Sequence, residues 1–228
     1  MHSAAGLQTK RLFHFVNENY GLENIKLRRL KVSRLDDLND PFELLAFDVS
    51  DKWLRGDLTN FKRAMAAQYG VLCFSQRWQN PVMWGHYADR HRGLCLGFDV
   101  AADLAAPVSY THRRLRALTM KILEGRLDQE ITRQLLFTKF AHWRYETEER
   151  SFVRLTEAKR APETELYFVE FSAQLKLVTV IAGAESTINR SRLREALGPL
   201  AESVEMFKAR PAFRNFRIVR NKDESRWK

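Results

Sequence analysis

No stretch of this chain reaches the roughly 18 consecutive apolar residues that a membrane-crossing helix needs. The opening Met1-His2-Ser3-Ala4-Ala5 also lacks the charged region and apolar core of a secretory signal. The chain therefore reads as a soluble, cytoplasmic protein with no membrane partner. Cysteine is nearly absent: Cys73 and Cys95 stand alone, each inside an apolar run. They read as small core residues in a reducing compartment, which excludes a disulfide scaffold. His86 and His91 are five apart, so a helix would put them on different faces, and neither has the i,i+4 spacing of helical zinc ligands. No metal is expected. Internal repeats, low-complexity segments, zinc fingers, a DNA-reading helix and an RNA-binding motif are also missing.

What is present suits one sizeable core. The 228 residues are 45% hydrophobic, and we expect a single domain over 1–228 with a helical insert at about 115–140 and a polar tail at 221–228. Thirty-eight Lys+Arg against 28 Asp+Glu give a formal charge of +10. Such a surface attracts polyanions, nucleic acid first among them. The basic residues are scattered from Lys26, Arg28 and Arg29 to Arg217, Arg220 and Lys222, so the charge alone identifies no partner.

Taken in order, Leu12-Phe13-His14-Phe15-Val16 is a short buried-strand pattern in which His14 shares a face with Leu12 and Val16. His14 is either a core histidine satisfied by a backbone carbonyl or a ligand contact from the central sheet. Leu22, Ile25 and Arg29 suggest a short helix with an extended return at Lys31-Val32-Ser33. Asp40-Pro41-Phe42-Glu43 reads as a helix start, with Asp40 as N-cap, Pro41 first in the helix and Glu43 closing the capping box. Leu58 to Tyr69 is an amphipathic helix with Phe61, Met65 and Tyr69 on one stripe, closed by Gly70. Val71 to Ser75 is a buried strand. Asn80-Pro81 starts a helix whose Met83, Trp84 and Tyr87 share one face, and Leu94 to Val100 is a third buried strand. Pro107 to Tyr110 is strand-like, and two helical stretches follow, the second carrying Ile131, Leu135 and Phe140. Strands are expected at Glu165 to Phe171 and Leu175 to Ile181, a helix at Ser186 to Leu197, and extended pieces at Val204 to Phe207 and Phe216 to Val219.

The densest chemistry lies in Trp143-Arg144-Tyr145-Glu146-Thr147-Glu148-Glu149-Arg150, which leads into Ser151-Phe152-Val153-Arg154-Leu155. Extended from about Tyr145, this stretch puts Glu146, Glu148 and Arg150 on one face. Two carboxylates beside a guanidinium are either a solvated edge strand whose charges pair, or a reactive surface.

Set together, Leu12-Phe13-His14-Phe15, Asn39-Asp40-Pro41-Phe42-Glu43, Met83-Trp84-Gly85-His86-Tyr87-Ala88 and Trp143 to Arg150 resemble, in that order, a largely uncharacterised bacterial family, domain of unknown function 2971. A more distant similarity links the N-terminal strand and its histidine to the ADP-ribosyltransferase fold. That resemblance implies an α/β (α+β) domain with a mixed central β-sheet flanked by helices, and NAD as co-substrate. It further implies that His14 contacts the adenosine-side ribose, Tyr87 stacks on nicotinamide, and Glu148 engages the other ribose, with Glu146 serving the acceptor. The superfamily's S-T-S triplet is missing; Phe74-Ser75-Gln76 stands after the middle strand, which leaves Ser75 as the cofactor-side candidate there. Arg92 and Arg150 are candidates for the pyrophosphate, and each is equally readable as a structural ion-pair partner. The acceptor would be a nucleic acid or a protein, and the role that of a bacterial toxin or phage-defence effector. Two other readings stand beside it. One is a metal-dependent nuclease using Asp40, Glu43, Glu146 and Glu148 with Lys139, although the usual E-x-K strand is missing. The other is a non-catalytic nucleic-acid or protein-binding module in which Glu146 and Glu148 merely pair with arginines.

Overall fold

The computed structural model describes residues 7–115, 129–162 and 164–227. The chain opens with β1 (Thr9–Val16), α1 (Glu18–Lys26), β2 (Arg29–Arg34), α2 (Lys52–Gln68), β3 (Tyr69–Ser75), α3 (Pro81–Tyr87) and β4 (Leu94–Ala101). Short strands β5 (Ala106–Pro107) and β6 (Ser109–Thr111) follow, then α4 (Gln129–Leu136), β7 (Thr138–Phe140), a 3-10 helix at Ala141–Glu146 and β8 (Glu148–Arg154). The remainder is β9 (Lys159–Arg160), β10 (Tyr167–Glu170), β11 (Leu175–Ala182), α5 (Arg190–Leu197), β12 (Glu205–Pro211) and β13 (Ile218–Arg220). The protein is thus a mixed α+β structure with a large mixed sheet. Among the described residues no helix is long and apolar enough to cross a membrane. The chain divides into two compact units, one holding residues 1–30, 73–105 and 169–228 and the other 31–72 and 106–168.

In the first unit β4 is the centre because its run Leu94-Cys95-Leu96-Gly97-Phe98 has no polar face to turn to water. These residues are all buried. β1 lies antiparallel beside it from Thr9↔Ala101 to Val16↔Leu94. On the other side β11 is antiparallel to β4, β12 runs parallel to β11, and β13 closes as a hairpin on β12. α3 begins as expected: the Asn80 side chain accepts from the Val82 N–H, with Pro81 at the first helical position. Its Trp84 is fully buried and meets the Phe15 ring edge-on at 5.3 Å. Asp89, Arg90 and His91 then all take positive φ, a tight left-handed turn that packs under Gly183. A Cβ on Gly183 would stand 2.0 Å from the His91 carbonyl oxygen.

In the second unit α2 starts at the Asp51 cap, whose carboxylate accepts from the Trp53 and Leu54 N–H groups at 2.8 and 3.0 Å. Its Leu54 and Leu58 pack with Phe47, Ile131 and Leu135 into a buried apolar cluster that joins α2 to α4. β2 pairs with β3 through Ser33↔Val71 and Arg34↔Gly70, β8 pairs with β5, and β6 runs parallel to β7.

Several local expectations are corrected. α1 starts earlier, at the Asn17 cap, and ends at Lys26, because Arg28 turns the backbone to positive φ and Arg29 begins a strand. Gly70 does not cap α2; it lies inside β3, where a Cβ would meet Val32 Cγ1 at 2.3 Å. Asp40 to Leu44 is a turn rather than a helix. The first half of the helical insert lies outside the described residues. Its second half ends at Leu136, so Phe140 sits on β7 and is exposed. The C-terminal tail is not merely polar, since Trp227 is buried and donates its indole N–H to the Ile188 carbonyl at 2.8 Å.

Candidate functional site

β8 begins at Glu148 because the chain before it is coiled. Ala141–Glu146 is a 3-10 helix, and Thr147 follows in the left-handed region at φ 43°, ψ 51°. The expected extension from Tyr145 is therefore corrected, and Glu146 does not lie on the strand. From Glu148 onward the two-residue period holds, and Glu148 and Arg150 meet on one face. Arg150 Nε donates to Glu148 Oε1 at 2.8 Å. Residues 148 to 151 are all buried, so the solvated-edge reading is also corrected: β8 is an interior strand, paired with β5 and β3.

Arg150 is 1% exposed, and its five N–H groups are all engaged. Beyond the bond from Nε, Nη1 donates to Glu43 Oε1 at 2.5 Å and to the Leu136 carbonyl at 2.8 Å, while Nη2 donates to Glu43 Oε2 at 2.8 Å and Glu148 Oε2 at 3.3 Å. Glu43 is thus no capping-box residue but the bidentate partner of a buried arginine. The pyrophosphate role for Arg150 is excluded on the same ground, because no donor remains for a phosphate. What survives is its other role, holding a carboxylate ionised.

Lys139, on β7, completes the cluster by donating to Glu146 Oε2 at 2.6 Å and Glu148 Oε2 at 3.0 Å. Its ammonium also lies 4.9 Å from the Trp143 ring centroid. Glu146 therefore rejoins Glu148 through a lysine rather than through strand periodicity. Three carboxylates face two cations, all buried. Taking such charges out of water costs several kcal/mol per ion, offset only where geometry and hydrogen bonds are as complete as here.

The electrostatic consequences are marked. Burial alone would raise the Glu148 pKa, but the Arg150 and Lys139 charges outweigh it and hold the carboxyl down to about 2. Burial would lower the Lys139 pKa, yet Glu148 and Glu146 together push it upward. Tyr110 is raised to about 12, chiefly by burial. Its neutral hydroxyl accepts the Glu148 backbone N–H at 2.8 Å and so fixes the start of the strand.

The nuclease set behaves differently from what free metal ligands require. Glu43, Glu146 and Glu148 do gather with Lys139, but each is bonded to Arg150 or Lys139. No His, Cys, Asp and Glu group among the described residues is arranged to hold a metal. Asp40 is buried, with Oδ1 accepting the Phe42 N–H at 2.9 Å and Oδ2 lacking a hydrogen-bond partner among the described residues.

The remaining candidates belong to the first unit. His14 is half-buried with Nδ1 3.0 Å from the Cys73 carbonyl oxygen. Burial lowers its pKa more than that bond raises it, so the ring is neutral, donates through Nδ1 and presents Nε2 as an acceptor. Ser75 is buried and closes its own turn, donating to the Arg77 carbonyl at 3.0 Å and accepting the Arg77 N–H at 3.2 Å. Tyr87 is half-buried, its ring tilted against His86 at 6.0 Å. Arg92 is exposed in the turn after α3.

Sequence reasoning missed the bridging role of Lys139 and the parts played by Tyr110 and Trp143. The signal for Glu43 was available, since a carboxylate in an apolar turn needs a cation once no helix follows, but the capping pattern explained it away. No family model, curated protein or solved structure matches the chain.

Proposed function

We propose that this chain is an ADP-ribosyltransferase-like enzyme that uses NAD as co-substrate and passes ADP-ribose to a nucleic acid or other macromolecule. The observation that carries the reading is Glu148, a buried carboxylate kept ionised at the first residue of an interior strand. Its Oε1 accepts a single hydrogen bond among the described residues, from Arg150 Nε, and a carboxylate oxygen has room for a second. A ribose 2′-hydroxyl would donate that second bond. When the nicotinamide–ribose bond breaks, the electron pair leaves with nicotinamide and the ribosyl carbon becomes cation-like. An ionised carboxylate beside it lowers the barrier electrostatically.

In this reading Glu146, joined to Glu148 through Lys139, receives the acceptor's proton. Arg150 and Ser75 do not touch NAD, because their polar atoms serve the protein itself. A second reading, a basic binding module without catalysis, is favoured by the pairing of both Glu146 and Glu148 with Lys139. Incubation with NAD in EDTA, with and without nucleic acid, separates the two. Mass spectrometry should detect released nicotinamide and an ADP-ribosyl adduct. If NAD neither raises the melting temperature nor is consumed, the transferase reading fails and the binding module stands.

A further inference from the structure

From Lys208 to Lys222 the chain carries six basic residues, Lys208, Arg210, Arg214, Arg217, Arg220 and Lys222, and no Asp or Glu. This segment is the β12–β13 hairpin, paired through Ala209↔Arg220 and Pro211↔Ile218. Its tip is closed by the Ala212 N–H donating to the Arg217 carbonyl at 2.8 Å. At that tip Phe213 is 89% and Phe216 98% exposed. The base of the hairpin has no such surplus: Phe207 is buried and meets Trp78 edge-on at 5.4 Å. Within this hairpin the exposed aromatic rings are thus those at the tip, beside Arg214 and Arg217.

Scattered exposed hydrophobic residues need no explanation, but two phenylalanines flanking Arg214 on a closed hairpin are a built surface. The Arg210 guanidinium already lies over the Phe213 ring, 4.1 Å from its centroid, so a flat cation and a flat ring form one stacking platform. Lys208 and Arg220 are occupied within the protein, by the Ser186 carbonyl and by Glu205. Arg214 and Arg217 have no side-chain partner among the described residues.

We infer that this hairpin tip binds single-stranded nucleic acid, with unpaired bases stacking on Phe213 and Phe216 and phosphates meeting Arg214 and Arg217. Aromatic faces alternating with arginine are what unstacked bases and a phosphodiester chain require. A duplex hides its base faces and offers nothing to the two rings. An anionic membrane would be met equally well by lysines, whereas the basic residues of the tip itself are all arginines, and one stacks on a ring. The inference concerns binding and does not depend on the transferase reading.

The test is fluorescence anisotropy of labelled oligonucleotides with the full chain, without NAD, beside sedimentation with vesicles containing anionic phospholipid. Single strands should bind more tightly than duplexes of the same length. Phe213→Leu/Phe216→Leu, which keeps apolar area but removes the flat rings, should weaken single-strand binding about 10-fold or more. Phe213→Trp/Phe216→Trp should retain it. Arg214→Gln should reduce the salt dependence of binding by somewhat under one ion. Because both rings are exposed, circular dichroism should report an unchanged fold. Equal affinity for duplex and single strand, undiminished binding by the Leu variant, or vesicle binding that the Leu variant preserves while oligonucleotides fail to bind would each overturn the inference.

Discussion

Arg150 clasps Glu43 through both arms of its guanidinium although the two residues stand 107 positions apart, and neither side chain is more than 1% exposed. A bidentate pair removed from water this completely ties the Asn39-Asp40-Pro41-Phe42-Glu43 turn to the strand that carries Glu148. Breaking it should be expensive because one charge is then left buried without its counterpart.

Arg150→Met should accordingly destabilise the protein by roughly 3–5 kcal/mol, read as a fall in the denaturant midpoint. Glu43→Leu/Arg150→Met should recover a large part of that loss, since removing both charges also removes the desolvation penalty. A single mutant within about 0.5 kcal/mol of the unaltered chain would show the pair to be energetically idle.

Acid should expose the Glu148 contribution. Its folded pKa of about 2 lies below the ordinary 4.5, so its stabilisation is fully present above pH 4.5 and is lost as pH falls through the folded value. A shift of that size corresponds to about 3 kcal/mol. Lys139 works in the opposite direction: raised from 10.5, its contribution is full below that pH and declines only in strong alkali. Urea melts from pH 5 to pH 2 should show this acid slope, and Glu148→Gln should flatten it.

That same substitution tests the chemistry. Each cation keeps one carboxylate in Glu148→Gln, Lys139 with Glu146 and Arg150 with Glu43, so the protein should still fold, though less stably than an unpaired glutamate would predict. NAD turnover should drop on the order of 10²-fold or more, the scale of removing one electrostatic stabiliser. Glu146→Gln should reduce transfer more than NAD hydrolysis. Turnover that survives EDTA separates this chemistry from the nuclease; activity lost on chelation and restored by Mg²⁺ would transfer the assignment to the nuclease.

Gly183→Ala should cost about 3 kcal/mol or more, because the added Cβ would lie 2.0 Å from a backbone oxygen, that of His91, which cannot swing aside like a side chain. The left-handed turn that presents Arg92 should be displaced with it. A thermal melt within a degree or two of the unaltered chain would show that the turn yields freely.

The amino-acid sequence by itself determined the elements whose cause is local. The apolar runs at Leu12 to Val16, Val71 to Ser75 and Leu94 to Phe98 became strands, and Asn80-Pro81 started its helix, because period and capping act within a few residues. Tertiary structure decided the rest. Glu43 obeyed a capping pattern and was taken instead by an arginine far along the chain; Glu146 left the strand face when Thr147 turned left-handed and was recovered by Lys139. Gly70 looked like a helix stop and proved to be a strand residue against which Val32 closes. The physical reason is common to all three. A buried charge or a missing Cβ is settled by what the folded chain brings against it, and no window of neighbouring residues contains that partner.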